Sequence, residues 1–271
     1  MIAAGLPVTG HLDRIAEVLA GFHRRAERGD VIDLSATPPE AVAARWQENL
    51  TELHRYTADI LPADTVAAVE QLATEFMSRR PALFARRIEE RRIVDGHGDL
   101  QSSDVFCLPE GPALLDCLEF DDQLRYVDGV DDAAFLAMDL EFLGHKDLGD
   151  HFLDQYCRLA DDQAPPGLKH FYTAYRAVVR AKVDCICVRQ GAPRHARTRS
   201  GISPSRWRIS AQVPSGSSSS AGGTGHREID TGAVPRPGNR RPCGVDRRCP
   251  PRAATERPDR WNRRYLARRT V

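Results

Sequence analysis

Lysine is nearly missing from this sequence: three residues, at positions 146, 169 and 182, stand against 35 Arg in a chain of 271. No Lys precedes residue 146. No apolar run approaches the roughly 20 residues of a membrane helix, and the N-terminus shows no basic-then-apolar signal pattern. A soluble cytoplasmic protein with no membrane partner is the expectation. The seven Cys are scattered, and the pair Cys185, Cys187 is too cramped for a C-x2-C zinc knuckle. They read as reduced thiols. Nothing in the pattern indicates an oligomeric state.

The last 80 residues lack still more. Residues 192–271 hold no Lys, no Phe and one Leu, Leu266, yet carry 9 of the 18 Pro and the run Ser217 to Ser220. Such a segment cannot bury enough apolar surface to offset its ordering entropy, so disorder is expected from residue 191 onward. Charge divides at the same place: 20 Lys and Arg against 33 Asp and Glu in residues 1–191, then 18 Arg against 5 acids. The zero net charge is the sum of two unlike halves. An Arg-rich tail can attract nucleic acid, but only Trp207, Trp261 and Tyr265 could stack on bases, and no zinc or helix motif organises the arginines. Nucleic-acid binding is the weakest of the readings.

Many Arg, Pro, Gly and Ser with no Lys is what GC-rich coding DNA yields when read out of frame. Degenerate codons for Gly222 to Ala233, shifted one base forward, permit G-A-P-G-T-G-K-S-T-L-A, which contains the phosphate-cradling G-x-x-x-x-G-K-[ST] pattern. Cys243 to Arg252 shifted the same way permits V-S-T-D-D-V-R-R-E. The expectation is a frame break near residues 187–200 that replaced a P-loop kinase domain. The chain then divides into a folded domain, 1–190, and a tail, 191–271.

Within the first part, Leu12, Ile15, Ala16, Leu19, Phe22 and His23 recur at three and four, which predicts a helix over 10–27 with Thr9 as its cap. Ser35, Thr37 and Pro38-Pro39 open a second helix that stops before Pro62, and Asp64 starts a third that resumes after Pro81. Three helices thus precede residue 93. Further helices are expected over 131–143, 148–160 and 168–188. His23, His54, Trp46, Tyr172 and Tyr175 fall at core-facing spacing.

Between these blocks lies Ile93 to Asp116, IVDGHGDLQSSDVFCLPEGPALLD. Ile93-Val94 reads as a short strand, and Val105–Leu108 and Pro112–Asp116 as a hairpin across Pro109-Glu110-Gly111. His97-Gly98-Asp99, with Asp104 five residues after Asp99 and Asp116 closing the hairpin, resembles the catalytic loop of the aminoglycoside phosphotransferase and protein-kinase-like superfamily. Asp116 to Asp122, Arg125-Tyr126 and Asp131 to Asp139 are similar, more narrowly, to the phosphotransferase-like half of two-domain proteins whose other half is a P-loop domain of the AAA-ATPase or gluconate-kinase-like type.

The resemblance implies an α+β fold: a helix-rich, protein-kinase-like C-lobe around a small catalytic β-hairpin. It implies ATP- and Mg2+-dependent phosphorylation of a small hydroxylated molecule as phosphate acceptor. Asp99 would be the catalytic base, His97 a residue bracing the loop, and Asp104 and Asp116 the metal ligands. Asp104 stands where the family has Asn, which adds negative charge beside the phosphates and removes a hydrogen-bond donor. Glu119, Asp121 and Asp122 are candidates for a hydroxylated or cationic substrate, and Asp132 for an Arg partner or a helix cap. Such an enzyme also needs an N-lobe whose sheet covers ATP and supplies a Lys. No strand-rich segment precedes Thr9, so the lobe is expected to be missing, activity to be doubtful, and the helix faces that would meet it to be bare. The competing class is an inactive truncated remnant or binding module.

Overall fold

The computed structural model describes residues 7–26, 28, 39–119 and 121–190. The tail expected over 191–271, with its disorder and frame break, lies outside the described residues, as does the Ser35 to Pro38 opening of the second helix.

The described elements run α1 (Thr9–Arg25), α2 (Pro39–His54), α3 (Ala63–Ser78), α4 (Pro81–Glu89), β1 (Ile93–Asp95), β2 (Val105–Leu108), β3 (Gly111–Leu114), β4 (Tyr126–Asp128), α5 (Gly129–Phe142), α6 (Lys146–Leu159) and α7 (Pro166–Arg189). This is a helix-rich α+β chain. Among the described residues four helices, not three, precede the first strand, because Pro81 starts a separate helix at a position where its missing N–H costs nothing. Thr9 does not cap α1; Val8 occupies that position and no side chain supplies the bond.

Two antiparallel pairs make up the β structure of the described residues. β2 and β3 form the expected hairpin, with Val105 opposite Leu114 and Leu108 opposite Gly111. β1 pairs with β4, Ile93 opposite Asp128 and Asp95 opposite Tyr126. No turn signal joins β1 to β4, which are separated by the whole loop and hairpin. The pairing therefore closes a ring of chain around residues 96–125, and bonds from Gly96 N to Arg125 O (2.9 Å) and from Gly129 N to Arg92 O (3.0 Å) extend it at both ends.

α5 is the central helix: Gly129 through Leu140 are all buried, so its sequence is apolar on every face rather than on one. α6 and α7 pack against it, and α1 packs on α6. A second layer of core joins α2, α3, α4 and α7 through aromatic rings, with Phe76 stacked on Phe171 at 4.5 Å and Trp46 tilted 5.4 Å from both Phe171 and Tyr175. Trp46, Tyr172 and Tyr175 are buried as expected. His54 is not: it is 43% exposed and pairs with Glu70. The large exposed apolar side chains are concentrated on and beside the hairpin, where Phe106, Leu108 and Leu115 are 49%, 45% and 50% exposed, rather than on the helix faces alone.

One buried ion cluster ties the layers together. Arg87 of α4 bonds both oxygens of Asp128 at 2.7 Å and both oxygens of Asp162 at 2.6 Å. Asp128 also accepts from Val130 N (2.9 Å), capping α5, and from the Tyr172 hydroxyl (3.3 Å). Burial works against the guanidinium charge, but the two carboxylates more than compensate and hold the Arg87 pKa above its ordinary value. Removing one member would leave the others charged and dry. Arg87→Met is expected to destabilise the protein by about 3–5 kcal/mol, read as a lower urea midpoint; a loss below about 1 kcal/mol would show that the cluster contributes little.

Candidate active site

The loop between β1 and β2 cannot be regular, because its backbone bends back over α5. Two glycines permit this. A Cβ on Gly96 would lie 2.7 Å from Asp132 Oδ2, and Gly98 has φ +83°, a conformation that strains any other residue. The close approach lets Asp132, fully buried, accept from the backbone N–H of both His97 (Oδ2, 2.8 Å) and Gly98 (Oδ1, 2.8 Å). His23 of α1 adds a third bond to the same carboxylate at 2.8 Å and is itself bonded to the Tyr156 hydroxyl at 2.7 Å. Arg176 of α7 holds the Gly98 carbonyl (3.3 Å) while its Nε bonds Asp131 at 2.7 Å.

The loop is also fastened to the far side of the hairpin. His97 Nε2 donates to the Leu115 carbonyl at 2.9 Å, and Leu118 N donates to the His97 carbonyl at 3.0 Å. Of the two residues between these anchors, Asp116 has φ +62°, an uncommon conformation for a residue other than glycine. It is exposed, whereas Asp99 is buried. Asp104 ends a single 3-10 turn, Ser102–Asp104, and its carbonyl accepts from Leu115 N at 2.9 Å. Asp104 and Asp116 therefore flank the base of the hairpin, one before β2 and the other after β3. Hydrogen bonds thus join the segments carrying His97, Asp99, Asp104 and Asp116.

The other expected site residues are arranged differently. Asp121 accepts from Gln123 N at 3.0 Å, capping a short 3-10 turn, and Asp122 pairs with Arg125 at 2.9 Å. Glu119 is exposed. Arg125 is the organiser here: it bonds Asp95 at 2.7 Å and the Leu118 carbonyl at 3.0 Å, holding the chain after Asp116 against β1. Burial pushes the neighbouring Cys117 thiol up to about 11, which keeps it protonated near neutral pH.

Asp132 departs most from expectation. It neither pairs with Arg nor caps a helix; Asp131 takes the Arg, and Asp128 is the cap. The signal in the sequence was adjacency, since two acids in a row on an otherwise apolar helix must each find a separate partner. Gln101, Arg176, Arg180 and His23 carry polar contacts to the loop and were not read from sequence as part of the site.

Chemically, Asp104 and Asp116 offer hard oxygen donors suited to Mg2+. Among the described residues no three His, Cys, Asp or Glu side chains gather tightly enough to hold a metal by themselves. Mg2+ generally takes only one or two protein carboxylates and fills its other positions with water and phosphate oxygens. All three Lys lie on α6 and α7; Lys146 pairs with Asp150 and Lys169 with Asp154.

Fold and site together define a helix-rich α+β protein built around a clamped acidic loop. No family model matches the chain. Over 196 residues it is 56% identical to two uncharacterized mycobacterial proteins, Rv2004c of Mycobacterium tuberculosis strain H37Rv and Mb2027c of Mycobacterium bovis. The match takes in 72% of this chain and 39% of each relative, so the chain spans about two fifths of the length of the curated relatives it matches. No described helix is long and apolar enough to cross a membrane.

Burial opposes the charge on Asp132, but hydrogen bonds from His23 and the His97 amide, with the positive charge those imidazoles can carry, hold its pKa well below the carboxylate range. A depressed carboxylate contributes stability above its unfolded pKa, about 3.9, and loses it as pH falls toward the folded value. Asp132→Asn is therefore expected to cost about 1–3 kcal/mol at pH 7, with the gap from the parent chain narrowing below about pH 3.9. Urea melts at pH 7 and pH 3 check this; an equal gap at both would exclude the charge as the cause.

Proposed function

We propose that the chain carries the catalytic-loop half of an ATP- and Mg2+-dependent phosphotransferase of the aminoglycoside phosphotransferase and protein-kinase-like type, acting on a small hydroxylated molecule. The observation that carries this reading is the set of bonds joining His97 to Asp132 on one side and to Leu115 and Leu118 on the other. It fastens the buried loop that carries Asp99 to the segment that carries Asp116. Phosphoryl transfer asks for positioned carboxylates and little covalent chemistry from the protein.

In this reading Asp99 orients the acceptor hydroxyl and takes up its proton. His97 braces the loop, and its bond to a carbonyl requires the proton on Nε2. Asp104 and Asp116 would hold Mg2+, and ATP with that ion would supply the transferable phosphoryl group. Glu119 is the exposed acid that remains beside the site for a cationic or hydroxylated acceptor, since Asp121 and Asp122 are engaged in their own turn. Asp104 in place of Asn keeps a metal-binding oxygen but places more negative charge near the phosphates, so turnover is expected to be weak.

Ligand that binds only the folded state raises the melting temperature with concentration. Mg2+-ATP is expected to do so for the parent chain and not for Asp116→Ala, with ATP plus EDTA giving no shift in either. No shift for the parent chain at millimolar Mg2+-ATP would overturn the reading in favour of a catalytically inactive remnant.

A further inference from the structure

Asp99 is held by a side chain that is itself held. Gln101, buried two residues further on, donates from Nε2 to Asp99 Oδ1 at 2.7 Å. Arg180 of α7 donates from Nη1 to Gln101 Oε1, also at 2.7 Å. The order of these bonds is forced. A guanidinium has donors and no acceptor, so the Gln101 oxygen must face Arg180, and its NH2 group must then face the carboxylate. Turned the other way, the amide would set its oxygen against Asp99 and its NH2 against a cation.

Arg180 is placed with similar care. The same Nη1 reaches Asp139 Oδ1 at 3.3 Å, Nε lies 3.7 Å from Asp184, and the guanidinium sits 5.2 Å from the centre of the Phe142 ring. Asp139 uses its other oxygen to accept from Ser102 N (3.0 Å) and Ser102 Oγ (2.5 Å). Two helices therefore grip the loop just after Asp99: α5 through Asp139 and Ser102, and α7 through Arg180 and Gln101.

We propose that Arg180 is a positioning residue for Asp99, acting through the Gln101 amide, which it locks in the one orientation that donates to the carboxylate. This rests on the reading of Asp99 as the acid that receives the acceptor's proton. It assigns to α7, remote in sequence from the loop, the rotational setting of that acid. It also gives residue 101 a role that a short or apolar side chain cannot fill.

The alternative is that Arg180 merely pairs with Asp139 to hold α5 to α7. The two are separated by following the Asp99 carboxyl carbon in full-length 13C-labelled protein by NMR, assigned with Asp99→Asn, in Arg180→Met, Gln101→Ala and the double variant. A hydrogen bond to the charged form favours it, so losing this donor raises the Asp99 titration midpoint by about one pH unit, the equivalent of one charge-assisted bond. Arg180→Met is expected to raise it comparably, and the double variant to go no further than the larger single. An unmoved midpoint in Arg180→Met, or single effects that add, would overturn the proposal, since a through-space charge effect adds to the loss of the amide. Should Arg180→Met fail to fold, Arg180→Gln keeps a polar side chain on α7 that offers an acceptor as well as donors and so no longer forces the Gln101 amide; its Asp99 midpoint must rise, and an unchanged one is equally fatal. The midpoint is readable whether or not Mg2+-ATP binds, so failure of the phosphotransferase reading and failure of this one are distinct results.

Discussion

The structure turns on one buried carboxylate accepting from two consecutive backbone N–H groups. Asp132 is fully inaccessible to water, and taking its charge out of water is costly unless hydrogen bonds replace its hydration. The His97 and Gly98 amides and His23 supply them. The loop gains as much as the acid does. A backbone that makes no ladder bonds and is buried would otherwise have polar groups to satisfy, and here Asp132, Arg176 and Leu118 satisfy them. Gly96 and Gly98 are the conditions for this contact, since a side chain on either would push the loop from the helix or strain it.

The same solution recurs along α5. Asp128 meets Arg87, Asp131 meets Arg176, Asp132 meets His23 and the loop amides, and Asp139 meets Arg180 and Ser102. Three buried acids on the central helix and a fourth that caps it are partnered by side chains from α1, α4 and α7 and by the loop itself. Such pairs are weak sources of net stability, yet breaking one is expensive. Their effect is to fix geometry: each neighbour of α5 has one position in which the charges match, and the loop bearing Asp99 is set by three of the four.

Much of this was legible in the sequence. The helical periods, the hairpin from Val105 to Leu114 and the burial of Trp46, Tyr172 and Tyr175 follow from local pattern. The β1–β4 pairing did not, because Tyr126–Asp128 is three residues long and its partner lies some thirty residues earlier, so no local signal marks it. His54 and His23 share a helical spacing on their own elements, but only tertiary packing decides that one is exposed and the other sealed between Tyr156 and Asp132. Asp132 was misread because an acid in the first turn of a helix resembles a capping group, and only the return of the loop shows what it accepts. The candidate acids at 99, 104 and 116 were visible as a spaced motif; Arg176 and Arg180, which bond Gly98 and Gln101 of the loop, were not, since those partners are far away in sequence.

The central claim is that the loop carrying His97, Gly98 and Asp99 is rigid because Asp132 holds it, and amide hydrogen exchange at those positions tests it most directly. If the account is right, the His97 and Gly98 amides exchange in the intact chain as slowly as those at the centre of α5, opening only with the whole fold. Exchange as fast as at the hairpin turn, Glu110 and Gly111, would mean that the clamp is not formed and that the site has no fixed geometry on which to base a reaction.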